Sequence, residues 1–101
     1  MPSNKVAIIT GGGRGIGKGM ALFYAKNGVD VAVLGRTYEK LTETVEEIEK
    51  SGARGLAVKC DVGVLSDVEN AFDKTLEKFG RIDILVNNAG VAQPTNPIIE
   101  T

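Results

Sequence analysis

Histidine is absent from the 101 residues, and cysteine occurs once, at Cys60. Without imidazole the chain has neither histidine acid/base catalysis nor histidine-ligated zinc to offer. One thiol cannot close an internal disulfide or share a metal with a second, so Cys60 reads as a buried strand residue in a protein of a reducing, cytoplasmic setting. An excess of either charge is also missing. The 12 Lys and Arg stand against 13 Asp and Glu, a net charge of −1, which leaves no basic field for nucleic acid or an anionic membrane. No apolar run approaches the length of a membrane span, and the short polar stretch from Met1 to Lys5 does not read as a signal peptide. Only 3 prolines occur, and 43% of the residues are hydrophobic, a composition that folds into one domain at most. Glycine is what the chain has in quantity, 13 in all, clustered between Gly11 and Gly19.

Apolar runs at 5–10, 29–34, 55–60 and 82–86 recur about every 25 residues, and a helical pattern fills each gap. Ile16, Met20 and Phe23 share a face ahead of Gly28, and Leu41, Val45 and Ile48 do so ahead of Gly52. Val68, Phe72, Leu76 and Phe79 form a third stripe ending at Gly80, and Ser66 with Glu69 reads as the capping box of that helix. The near-continuous apolar runs suit parallel strands buried on both faces. Right-handed crossovers then give an α/β fold, half of a doubly wound Rossmann sheet in the order 3-2-1-4 with three helices. The first two helices cover one face and the third covers part of the other. The order reverses beside the first strand, and ligands in such sheets bind there, beyond the carboxyl ends of the strands.

The first strand runs into Thr10-Gly11-Gly12-Gly13-Arg14-Gly15-Ile16-Gly17-Lys18-Gly19. A glycine turn opening a helix lets backbone amides approach a phosphate, and the helix start adds partial positive charge. The pattern G-x-G-x-x-G fails, because it would need glycine at Ile16 or Met20. The triphosphate loop G-x-x-x-x-G-K-[ST] nearly fits from Gly12 to Lys18, but Gly19 has no hydroxyl for magnesium. A third pattern, T-G-x-x-x-G-x-G, fits through Thr10, Gly11, Gly15 and Gly17, with Gly12 and Gly13 in its free positions.

On these residues the chain resembles the short-chain dehydrogenase/reductase family. The family's segments after the third and fourth strands recur in register as Asp61-Val62 and Asn87-Asn88-Ala89-Gly90. The resemblance implies that the amides from Gly13 to Ile16, Gly15 included, meet the phosphates of a nicotinamide dinucleotide, while Gly11 and Gly17 allow the turn and its packing. It implies that Asp61 and the Val62 amide hold adenine, that Asn88, Ala89 and Gly90 line the ribose and nicotinamide side, and that Asn87 bonds within the sheet. The alternative for Asp61 is a plain turn residue, since Asp is common after strands.

NAD-specific sites place a carboxylate at the end of the second strand. Here that position is Gly35, followed by Arg36 and Thr37, and Asp30 lies about 16 Å away at the other end of the strand. Arg36 can pair with a 2′-phosphate, and the resemblance implies that Arg14 faces the same corner, as in the family's NADP-preferring members, which favours NADP over NAD. The family's serine and Tyr-x-x-x-Lys are not in place, since Tyr24-Ala25-Lys26 and Tyr38-Glu39-Lys40 have the wrong spacing. Residues 1–101 are therefore expected to be the amino-terminal, cofactor-binding part of an NADP(H)-dependent oxidoreductase of carbonyl or alcohol substrates, inactive alone. The family begins a helix near residues 96–100. An uncovered sheet face and an open edge on the fourth strand suggest a homo-oligomer. An oxoacyl-thioester reductase of the same family, a phosphate-loop nucleotide hydrolase and a non-catalytic nucleotide-binding module are the alternatives.

Overall fold

The computed structural model describes residues 5–13 and 15–88, together with the backbone of 98–100. Its elements are β1 (Val6–Thr10), α1 (Gly15–Lys26), β2 (Asp30–Gly35), α2 (Tyr38–Lys50), β3 (Gly55–Lys59), α3 (Leu65–Phe79), β4 (Ile84–Val86) and β5 (Ile98–Glu100). They form one sheet in the order β3-β2-β1-β4-β5. The first four strands are parallel, in the expected order 3-2-1-4 with three helices. β5 pairs antiparallel with β4, Leu85 opposite Ile99. Two expectations change there. Residues 98–100 form a strand and not the start of a helix, and this strand covers the β4 edge expected to lie open. Two consecutive β-branched residues behind Pro97 favour that outcome.

β1 is buried along its whole length, and its alternate side chains serve two different cores. Ala7 and Ile9 join Val31 and Val33 of β2 beneath α1 and α2. Val6 and Ile8 join Ala32 and Leu34 beneath α3. This is why the run is apolar throughout: a parallel strand with helices on both faces has no solvent side. Each large aliphatic side chain so buried contributes about 1.5–3 kcal/mol.

The helices meet the sheet through smaller residues than their sequence stripes suggest. α1 buries Gly17, Ala21 and Ala25, one turn apart, and leaves Ile16 and Phe23 exposed. Only small residues fit where a helix backbone comes this close, so the expected Ile16/Met20/Phe23 face is turned off the core, with Met20 at its margin. α3 likewise buries Ala71, Thr75 and Phe79, with Val68 and Phe72 flanking them and Leu76 exposed. α2 follows its pattern more closely, burying Leu41, Thr44 and Ile48 with Val45 beside them. The capping box is not formed. α3 starts two residues earlier, with Val64 at its N-cap and no side-chain cap bond. Its carboxyl end is as expected, Gly80 closing it at φ 83° with its amide on the Leu76 carbonyl.

Carboxylates lock the amino-terminal rim of the sheet. Asp30 is fully buried at the start of β2. It accepts from the Arg54 amide at 2.9 Å and from the Arg54 guanidinium at 2.8 and 3.0 Å, and that guanidinium lies 4.9 Å over the Phe79 ring. At the start of β1 the Val6 amide donates to Asp83 at 2.9 Å, and Arg81 pairs with the same carboxylate.

The hydrogen bond from Arg81, aided by the Val6 amide, holds the Asp83 carboxyl below its ordinary value of 3.8 against the opposing effect of burial. A carboxylate with a lowered folded-state value stabilises the fold fully above its unfolded-state value and loses that contribution as pH falls through the folded one. Asp83→Asn should therefore lower stability near neutral pH and match the parent protein in strongly acid solution, as urea titrations across that range would measure.

Candidate nucleotide site

The carboxyl-terminal rim is built in the opposite way, from glycines and backbone amides. β1 ends at Thr10, and Gly11 turns the chain at φ 68°. The amides of Gly11 and Gly12 both donate to the Leu34 carbonyl at the end of β2, at 2.7 and 3.3 Å, which pins the base of the loop to the neighbouring strand. A Cβ on Gly17 would fall on the Gly11 carbonyl oxygen and lie 2.7 Å from the Asn88 side-chain amide. The first turn of α1 thus packs directly on the loop that precedes it. Gly12 and Gly13 are not free positions here. A Cβ on Gly12 would sit 2.6 Å from Val33 Cγ1, and one on Gly13 would sit 3.0 Å from Lys40 Cβ.

Thr10 joins the ends of β1 and β4. Its hydroxyl accepts from the Asn88 amide at 2.7 Å and donates toward Asn87 Oδ1 at 3.2 Å, with the Val86 carbonyl at 3.4 Å. Asn87 is therefore tied to the central sheet, and Asn88 is held beside the glycine loop. After β3 the Cys60 amide donates to the Gly35 carbonyl. Asp61 then forms a turn, its Oδ1 accepting from the Gly63 amide at 2.9 Å while its own amide donates to Asp67 at 3.0 Å. The turn role of Asp61 is thus realised, and the residue also faces the cleft.

These strand ends enclose a cleft of about 560 Å³, within the range of small-molecule sites. Gly11 and Gly13 line it from the loop, Arg36 and Thr37 from the end of β2, Asp61 and Val62 from the end of β3, and Asn88 from the end of β4. Gly15, Ile16 and Gly17 are in α1 and do not line it; Ile16 is 75% exposed. Arg14, Ala89 and Gly90 lie outside the described residues.

Sequence reasoning missed three further lining residues, Lys40, Leu41 and Cys60, and did not count Gly35 among the site. Lys40 and Leu41 had a readable signal. Both lie in the first turn of the helix that starts behind Thr37, immediately after the strand end that carries Arg36. Burial, with lesser contributions from Asp67 and Asp61, pushes the Cys60 thiol above its usual value. That shift is opposite to the one that activates a thiol as a nucleophile. Lys18 is 2.7 Å from Glu47 on α2, a hydrogen bond that raises its own value. The cation that a triphosphate loop would send to the phosphates is thus held on the neighbouring helix. Among the described residues no acidic or thiol cluster could hold a metal, and no helix is long and apolar enough to cross a membrane.

The sequence model of the family described as short chain dehydrogenase matches residues 5–101. A hydroxynaphthalene reductase-like protein Arp2 of Metarhizium robertsii is 44% identical over 101 aligned positions, an alignment that covers 97% of this chain and 38% of that protein. The chain thus spans about two fifths of the length of that curated relative. Among solved structures, a NAD+-bound xylitol dehydrogenase matches with a TM-score of 0.84 at 34% identity, over 88% of this chain and 34% of that one. A variant of actinorhodin polyketide ketoreductase with NADPH matches with a TM-score of 0.82 at 35% identity, over 87% and 34%.

Glycines at two positions of α1 separate close packing from simple helix propensity. Gly17→Ala forces the helix off the Gly11 carbonyl and should cost about 1–3 kcal/mol. Gly19, with nothing within 4 Å of its would-be Cβ, should gain about 0.5–1 kcal/mol as alanine. Urea denaturation of the two variants measures both.

Proposed function

Because this chain belongs to the short-chain dehydrogenase/reductase family, we propose that it forms the dinucleotide site of an NADP(H)-dependent oxidoreductase acting on carbonyl or alcohol substrates. The observation that carries the reading is the glycine-shaped cleft at the switch point of the sheet, lined by Gly35 and Arg36 at the end of β2 and by Lys40 at the start of α2.

The residues present fit such a cofactor. Gly11, Gly12 and Gly13 put no side chain between the backbone and the cleft, and the packing leaves no space for a Cβ at Gly12 or Gly17 and little at Gly13. The Gly13 region would hold the phosphates, joined by the amides of Arg14, Gly15 and Ile16. Asp61 and the Val62 amide would hold adenine, and Asn88 with Ala89 and Gly90 would line the nicotinamide side. Thr37 closes the corner next to Arg36. A bound nicotinamide dinucleotide supplies or accepts a hydride. Residues of this chain bind and orient it, and none of them is assigned the acid/base step.

The similar structures hold NAD+ in one case and NADPH in another, so the choice rests on this chain's own chemistry. A carboxylate at position 35 would repel a 2′-phosphate. Glycine does not, and the exposed Arg36 with Lys40 beside it supplies the countercharge. The triphosphate-loop alternative loses support, since Gly19 has no hydroxyl and Lys18 is committed to Glu47. The same reading includes a reducing, cytoplasmic setting for the lone buried thiol and a homo-oligomer. Ile16, Phe23 and Leu65, all more than 60% exposed, supply apolar surface for the latter.

Each charge-assisted bond to the 2′-phosphate is worth about 1.5–3 kcal/mol. In the protein at its natural length, Arg36→Asp combined with Arg14→Ala should weaken NADPH binding by at least about tenfold and leave NADH binding within a few-fold. Calorimetry with the two cofactors measures the difference, and equal losses for both would refute the NADP assignment.

A further inference from the structure

We propose that Thr44 on α2 is a positioning residue for the phosphate-binding amide of Gly13, an inference that rests on the dinucleotide reading above. Thr44 is fully buried in the middle of its helix. A threonine there ordinarily bonds back to the carbonyl four residues earlier. Here that bond, to the Lys40 carbonyl, is the longer one at 3.2 Å, and the shorter, at 3.0 Å, reaches across to the Gly12 carbonyl. The hydroxyl has one proton to share, and the distances favour the loop.

Holding the Gly12 oxygen on α2 has a consequence one atom further along the chain. The peptide between Gly12 and Gly13 is planar and trans, so the Gly13 N–H points opposite to the Gly12 C=O. With the carbonyl anchored toward α2, the N–H is turned away from that helix. Gly13 lines the cleft. The amides of Gly11 and Gly12 are both committed to Leu34, whereas the Gly13 amide donates to no acceptor among the described residues. It is the first donor of the loop available to an anionic oxygen. Lys40, whose Cβ would lie 3.0 Å from a Cβ on Gly13, presses the loop from the same helix.

The test compares two probes on the protein at its natural length. NADPH carries the pyrophosphate that Gly13 would meet, and adenosine 2′-monophosphate does not. Thr44→Val keeps the shape of the side chain and removes the donor, and should weaken NADPH binding about tenfold, the loss of one charge-assisted hydrogen bond, with adenosine 2′-monophosphate binding unchanged. Thr44→Ser keeps the donor and should restore NADPH binding to within about twofold. If the valine variant does not fold, Thr44→Ala carries the same comparison. Unchanged NADPH binding, equal losses for both probes, or failure of serine to rescue would overturn the inference while leaving the dinucleotide reading standing. A parent protein that binds neither probe would refute both.

Discussion

The approach of α1 to the end of β1 is the contact on which the rest of the architecture depends. With no side chain at Gly17, the helix comes down onto the Gly11 carbonyl and the Asn88 amide. A helix held that close can present only small residues to the sheet, so Gly17, Ala21 and Ala25 make the contact and Ile16 and Phe23 face outward. The same approach places the helix amino terminus beside a loop whose amides are partly free. One steric constraint therefore sets both the packing of the first layer and the electrostatic character of the cleft.

The two rims of the sheet divide the work of stability and binding. At the amino-terminal rim Asp30 and Asp83 satisfy strand amides and pair with Arg54 and Arg81, so buried charge there is fully compensated. At the carboxyl-terminal rim the glycine loop is held by backbone and hydroxyl groups, Thr10 joining β1 to β4 and Thr44 joining α2 to the Gly12 carbonyl. Around the glycine loop these fixed dipoles suit an anionic ligand, while Asp61 lines the cleft from the end of β3. Among the described residues that line the cleft the cations are Arg36 and Lys40, near which an additional phosphate would be felt.

Much of this was legible in the order of residues. The four apolar runs and their spacing imply parallel strands, and the reversal beside the first strand locates the site. Seven of the residues named from the sequence line the cleft: Gly11, Gly13, Arg36, Thr37, Asp61, Val62 and Asn88. Helix faces were less legible. Hydrophobic spacing finds the largest apolar residues, whereas close packing selects the smallest, so the stripes through Ile16 and Leu76 missed the contacts made by Ala21, Ala25, Ala71 and Thr75. Ser66 and Glu69 have cap spacing, yet the Asp61 turn starts the helix two residues earlier. Thr44 reads as an unremarkable polar residue in a charged helix. Its role exists only because the fold brings Gly12 within 3.0 Å across 32 positions.

The central claim is that the ends of β1, β2, β3 and β4 form one dinucleotide site. Amide NMR of the protein at its natural length during titration with NADPH tests it most directly. The account predicts shifts at Gly11 to Gly13, Arg36, Thr37, Asp61, Val62 and Asn88, with the amino-terminal rim around Asp30 and Asp83 unmoved, and no comparable pattern with ATP. Shifts confined to other surfaces, or the same pattern at the same concentration of ATP, would contradict it.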